Sequence, residues 1–184
     1  MTFILKSIPS TKNIKEQSTL EIGCLMLKDI IPPFLLFGKS VKNSLVIKKE
    51  AINIVWLKRD IRAQDHEPLL NAEKSGIPYR ILYVFEPSCI RYPDSSLRHL
   101  QFVYHSLLAL NRTLNRYNKC VDVFYGEAID IFNIFKDKFE IKSVFSYQES
   151  GIEMTWRRDR EISSFFSKEN ICLLYTSDAA DEVV

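Results

Sequence analysis

From residue 52 onward the chain alternates short apolar runs with stretches whose apolar residues recur every three or four positions. Ile52-Asn53-Ile54-Val55-Trp56-Leu57 is nearly continuous, apolar and β-branched, the pattern of a strand covered on both faces. It gives way to the charged stretch Lys58-Arg59-Asp60-Ile61-Arg62. Asp65 is placed to cap a helix reaching about Lys74, with Pro68 in the first turn, where a missing N–H costs little. Ser75-Gly76-Ile77-Pro78 then stops that helix. Residues 79–85 read as a second strand closed by Glu86-Pro87-Ser88, and a loop through Tyr92-Pro93-Asp94 follows. The clearest helix comes next: Leu100, Val103, Leu107, Leu110, Leu114 and Tyr117 form one apolar stripe, with Ser95 or Ser96 as its cap. Residues 121–125 are a third strand, and Gly126 permits the turn into a helix carrying Ala128, Ile131, Phe132 and Phe135. Residues 143–147 form a fourth strand, and a last helix spans about 153–166.

Four alternations of strand and helix with short connections, joined by right-handed crossovers, predict an α/β fold: a Rossmann-like, doubly wound parallel sheet of four to five strands with helices on both faces. In such sheets a ligand sits at the carboxyl ends of the strands, where the winding direction reverses. With the strand order 3-2-1-4, that crevice falls between the end of the first strand (Lys58 to Arg62) and the end of the fourth (Gln148 to Ser150).

The flanks differ in character. Residues 1–50 carry eight lysines against four acids, show no sustained period and include Pro9, Pro32 and Pro33. They read as a poorly ordered, non-native extension with one short helix near 20–29, ahead of an α/β domain over 51–170. Residues 171–184 open as a fifth strand at 171–175 and end small and acidic, with three acids and no base. Overall, 25 basic and 23 acidic residues leave a formal charge of +2, which gives no electrostatic signature of nucleic-acid binding.

Cys24, Cys89, Cys120 and Cys172 are far apart and form no C-x-x-C pair, so reduced thiols, without a metal site or disulfide framework, are expected. The greasiest stretch, residues 22–37, is broken by Lys28, Asp29 and Pro32-Pro33, too interrupted to span a bilayer. The opening MTFILK lacks the basic start and apolar run of a secretory leader, so a cytoplasmic protein is expected. Five glycines form neither a phosphate loop, nor G-x-G-x-x-G, nor G-x-S-x-G. No catalytic apparatus is visible.

One segment is far more specific. Val55-Trp56-Leu57-Lys58-Arg59-Asp60-Ile61-Arg62, followed after a short spacer by Asp65-His66-Glu67-Pro68-Leu69, resembles the opening motif of the photolyase/cryptochrome family, W-[FL]-[RK]-R-D-[LI]-R and then D-[NH]-x-[PA]-L. Tyr83-Val84-Phe85-Glu86-Pro87 is similar to that family's second strand, and Ser96-Leu97-Arg98, Phe102 and Ser106-Leu107 to its long helix. Gly126 and Arg158-Asp159 match further positions, so the resemblance covers about 52–170.

The resemblance implies an N-terminal antenna and scaffold domain. In that family a larger helical C-terminal domain binds FAD, receives damaged DNA and performs light-driven pyrimidine-dimer repair, or serves blue-light sensing. The resemblance therefore implies a chain lacking the FAD-binding catalytic domain, inactive as a lyase by itself, with that helical domain as its partner and with DNA reached only through the full-length parent. Residues 1–45 have no family counterpart, and Leu173-Leu174-Tyr175-Thr176-Ser177-Asp178-Ala179-Ala180-Asp181-Glu182 looks like translated adapter sequence, so the tail at 171–184 is expected to be artefactual. A stand-alone nucleotide-binding α/β module without catalysis, and an inert fragment, are the alternatives.

Arg59, Asp60, Gln148 and Glu149 are the candidate cofactor-binding residues. Arg59 and Asp60, with Arg62, leave the first strand where loop residues face a crevice; their plainer role is a structural Arg–Asp ion pair. Counterparts of Gln148 and Glu149 touch a folate antenna in some family members, whose pterin offers donors to a carboxylate. Ser150-Gly151 stand where folate-binding relatives carry other residues, which leaves a folate, a deazaflavin or an empty pocket open. Trp56 is expected in the core. His66, His99 and His105 lack companions at metal-ligand spacing and read as capping or helix-surface residues. Arg157, Arg158 and Arg160 interleave with Glu153, Asp159 and Glu161, the mark of an ion-paired helix face.

Overall fold

The apolar run beginning at Ile52 is the centre of the sheet. A computed structural model of the chain describes residues 49–176. Within it the elements follow in the order β1 (Glu50–Leu57), α1 (Glu67–Lys74), β2 (Tyr79–Phe85), α2 (Pro87–Ile90), α3 (Leu97–Leu114), β3 (Val121–Tyr125), α4 (Ala128–Lys138), β4 (Phe139–Tyr147), α5 (Glu153–Lys168) and β5 (Cys172–Thr176). The five strands are all parallel and lie in the order β3-β2-β1-β4-β5. Val55 pairs with Ile81 of β2 on one side and with Phe145 of β4 on the other. The extension expected over 1–50, with its helix near 20–29, lies outside the described residues apart from Lys49 and Glu50, as does the acidic end of the tail beyond Thr176.

Alternation along β1 divides the core into two layers, as period-2 geometry requires. Ile52, Ile54 and Trp56 pack with Leu82, Val84 and Val144 beneath α4 (Ala128, Ile131, Phe132, Phe135) and α5 (Ile162, Phe166). Val55 and Leu57 face the other way, with Ile81, Val121 and Phe145, against α1 (Ala72) and α3 (Leu107, Leu110, Leu114). Trp56 meets Phe132 edge to face at 5.3 Å between centroids, which places it in the core.

One polar residue interrupts this centre. At Asn53 the β1–β4 register slips by a residue, and the buried Asn53 side chain repairs the ladder. Its Oδ1 accepts from Ser143 N at 3.1 Å, and its Nδ2 donates to Ser75 Oγ at 2.9 Å. Both ends of the buried Asn53 amide are thereby satisfied.

Several boundaries differ from the sequence reading for local reasons. The cap of α1 is His66, whose ring accepts from Leu69 N at 3.1 Å, and not Asp65, which adopts a left-handed φ of 49°. Ser96 caps α3. Its stripe ends at Leu114, because residues 115–117 tighten into a 3₁₀ turn that leaves Tyr117 70% exposed. The stretch after Phe85 is the short helix α2, started by Pro87 at a position that favours proline. β4 begins four residues before the expected 143, at Phe139, directly from the end of α4.

Candidate functional site

β1 and β4 are neighbours whose onward connections run to opposite faces of the sheet, α1 to one and α5 to the other. Their carboxyl ends form the switch point. The strand ends fill this place with charge. Lys58 Nζ, its side chain only 4% exposed, donates to Asp159 Oδ2 at 2.7 Å and to Tyr147 O at 3.0 Å. It stands 4.6 Å over the Trp56 ring. Burial lowers the Lys58 pKa, and the neighbouring Asp159 only partly opposes this.

Asp60 turns inward. Its Oδ1 accepts from Lys58 N at 2.8 Å and its Oδ2 lies 2.7 Å from His66 Nε2. Since His66 Nδ1 accepts from Leu69 N, the proton between the ring and Asp60 belongs on Nε2. Burial acts to raise the Asp60 pKa, but the hydrogen bonds from His66 and Lys58 N outweigh it and hold the carboxyl below its ordinary value. The loop after β1 is thus a closed unit in which an aspartate orients a histidine that caps the next helix.

Arg158, from the second turn of α5, is the hub. Its Nη1 donates to Glu86 Oε1 at 2.7 Å, and its Nη2 to Glu149 Oε2 at 2.5 Å and to Asp159 Oδ1 at 2.9 Å. Burial disfavours its charge, yet Glu86, Asp159 and Glu149 together raise its pKa further above the usual guanidinium value. Glu86 in turn is pushed up by burial, against the pull of Arg158. On the outer side Arg59 Nε reaches Glu149 Oε1 at 2.8 Å; the Arg59 side chain is 68% exposed and that of Glu149 only 5%. Glu149 is therefore clamped between a largely covered guanidinium and one on the rim.

The four residues marked in the sequence divide accordingly. Arg59 and Glu149 come together at the switch point, Gln148 lies exposed beside them, and Asp60 is buried and engaged with His66. Their ion pairs run from Arg59 to Glu149 and from Asp60 to His66. Sequence reasoning did not find the cluster around Arg158 or the Lys58–Asp159 tie. Arg158-Asp159 stood out as a pair, but its partners Glu86 and Glu149 are 72 and 9 residues away in the chain.

A cavity of about 240 Å³ lies on the β2 side of Arg158, lined by Glu86, Ser88, Glu127, Met154 and Ile162. Its wall is a reciprocal clamp. Glu127 accepts from Ser88 N and Oγ at 3.0 and 2.8 Å, while Glu86 accepts from the backbone of Ala128. The volume falls below the roughly 300–1,000 Å³ typical of sites for larger organic ligands. Among the described residues no cluster of His, Cys, Asp or Glu is arranged to hold a metal, and no helix is long and apolar enough to cross a membrane.

Comparison with known proteins adds family and fold. The family model for DNA photolyase matches residues 53–179. No curated protein matches the chain. Among solved structures, an archaeal photolyase from Sulfolobus tokodaii, described with two FAD molecules and a novel light-harvesting cofactor, is similar with a TM-score of 0.63 and 23% identity, over 69% of this chain and 29% of that one. A cryptochrome from Synechocystis sp. PCC6803 is similar with a TM-score of 0.64 and 20% identity, over 69% and 27% of the two chains. A class III photolyase from Agrobacterium tumefaciens is similar with a TM-score of 0.60 and 22% identity, over 76% and 27%. The chain thus spans less than a third of the length of these proteins, with which it shares the fold of one domain.

Proposed function

The chain belongs to the DNA photolyase family, and from that premise we propose that its α/β domain is the antenna and scaffold domain of a photolyase or cryptochrome. A light-harvesting chromophore of the folate or deazaflavin type is held at the rim of the switch point and, when bound, supplies the light absorption. FAD and damaged DNA are bound by a helical partner domain. The observation that carries this reading is the Arg59–Glu149–Arg158 chain. It is a buried carboxylate fixed on both oxygens, reached by an exposed guanidinium and preceded in the chain by the exposed Gln148.

These residues fit such a chromophore. Arg59 keeps donors for anionic or carbonyl groups, and Gln148 both donates and accepts, matching the mixed edge of a pterin or deazaflavin. Behind them the cluster sets Glu86, Glu149 and Asp159 against Lys58 and Arg158. Lys58, Arg158 and Asp159 serve to hold the rim in place.

The test is reconstitution of the purified chain with 5,10-methenyltetrahydrofolate, with an 8-hydroxy-5-deazaflavin and with FAD, followed by gel filtration and absorption spectroscopy. The folate or the deazaflavin should co-elute with the native protein, and Arg59→Ala should weaken its retention; co-elution of FAD alone would overturn the assignment of the flavin to the partner domain. Failure of all three to co-elute, together with binding of AMP or ATP, would establish the nucleotide-binding module instead. Dimer repair under blue light by the chain alone would overturn the division of labour between the two domains.

A further inference from the structure

Trp156 stands out on α5. It is 49% exposed and belongs to neither apolar cluster of the core, although Thr155 on one side of it and Ile162 further along the helix are buried. Its helix face is otherwise charged, with Glu153 and Arg160 paired to each other at 2.7 Å. A large aromatic left half in water contributes little to folding. Its placement, however, is fixed: Nε1–H donates to the carbonyl of Glu149 at 3.1 Å. Glu149 is the residue whose carboxylate receives Arg59 at the rim. A single residue therefore ties the indole to the polar rim, its backbone holding the ring and its side chain holding the guanidinium.

We propose that Trp156 is a stacking residue for the planar heteroaromatic ring of the ligand bound at this rim, with Arg59 and Gln148 receiving the ring's polar edge. The inference rests on the antenna reading above and adds to it the residue that selects for a flat, conjugated ligand. An indole immobilised through its own N–H loses little freedom on stacking, and its exposed face offers area that polar neighbours lack. The charge beside it is complementary to a ring with carbonyl or anionic substituents, because Arg59 is the cation on the rim.

The experiment is a binding titration of the native chain, Trp156→Ala and Trp156→Phe with 5,10-methenyltetrahydrofolate, an 8-hydroxy-5-deazaflavin and FAD, read by ligand absorbance in equilibrium dialysis. Indole fluorescence is recorded in parallel. Loss of one aromatic stack should weaken binding about tenfold in Trp156→Ala. Trp156→Phe, which keeps a ring but loses the N–H, should stay within about threefold of native. Ligand should quench a component of the native emission that Trp156→Phe lacks. Equal affinity of native and Trp156→Ala, with ligand bound, would overturn the stacking role and leave the antenna reading intact. No binding of any of the three by the native chain would overturn both. Thermal unfolding of both variants, expected within a few degrees of native because Trp156 lies outside the core, separates lost binding from lost folding.

Discussion

Arg158 shows how much one side chain can decide. It neutralises parts of three carboxylates that α5, the β4 end and the β2 end bring to one buried spot. Replacing it with Met removes the counterion of buried Glu86, while Glu149 keeps Arg59 and Asp159 keeps Lys58, a change expected to cost about 3 kcal/mol. With the guanidinium gone, Glu86, already raised by burial, is driven further up. A carboxyl whose folded pKa exceeds its unfolded one stabilises the native state at low pH and loses that effect as pH rises through the folded value. Arg158→Met should therefore be relatively more stable at pH 5 than at pH 8 in urea unfolding; a deficit independent of pH would show that the carboxylates find other partners. Asp60 has the opposite sign. Its folded pKa lies below the ordinary value of 3.8, so its contribution is present above that value and is lost as pH falls below it. Asp60→Asn should flatten the acid limb of the stability profile below about pH 4, measured as the slope of unfolding free energy against pH. An unchanged slope would mean that the His66 bond does not hold the charged form.

At the scale of elements, most helices and strands were legible because their signals are local. The nearly continuous apolar run of β1, the stripe of α3 and the Gly126 turn each depend on nearby residues in the chain. Gly126 has a φ of 155°, and a Cβ there would press on Ile131 Cδ1 at 3.3 Å, which explains why the β3–α4 turn takes glycine. The misplaced cap was decided by side-chain geometry within the loop and not by residue type alone. His66 displaces Asp65 as the cap because Asp60 orients its ring. Gly151 takes glycine for a steric reason, since a Cβ there would run into Thr155 Oγ1 and come within 3.3 Å of Glu149 Oε1. Gly151→Ala should destabilise by about 1–3 kcal/mol through overpacking, seen as a lower melting temperature; an unchanged one would show that the β4–α5 loop relaxes freely. Ser96→Ala, which removes the side-chain acceptor from His99 N, should cost about 1 kcal/mol through loss of the α3 cap. The two changes lie on opposite faces of the sheet and should add.

For the molecule as a whole, the decisive feature is the central position of β1. It is hydrogen-bonded on both sides and covered on both faces, whereas β3 lies at an edge with half-buried residues along its length. Local opening must therefore begin away from β1. In native-state hydrogen exchange the amides of Ile54, Val55 and Trp56 should be the slowest in the chain and those of β3 markedly faster. Equal protection in the two strands would contradict the layering described here. The same position places Lys58 and Arg59 at the switch point, so the strand that anchors the fold also delivers the rim of the candidate site.

The amino-acid order alone determined the α/β class, the succession of strands and longer helices, the two-faced burial of β1 and the resemblance carried by residues 55–69, because each is written in neighbouring residues or in a short period. The strand order was inferred from the usual topology and is the one found. Only the tertiary structure decided which charges meet: Glu86 with Arg158 across 72 residues, Lys58 with Asp159 across 101, and Arg59 with Glu149 rather than with its neighbour in the chain. Such pairings follow from how strand ends converge in space, and no local pattern of residues encodes that convergence.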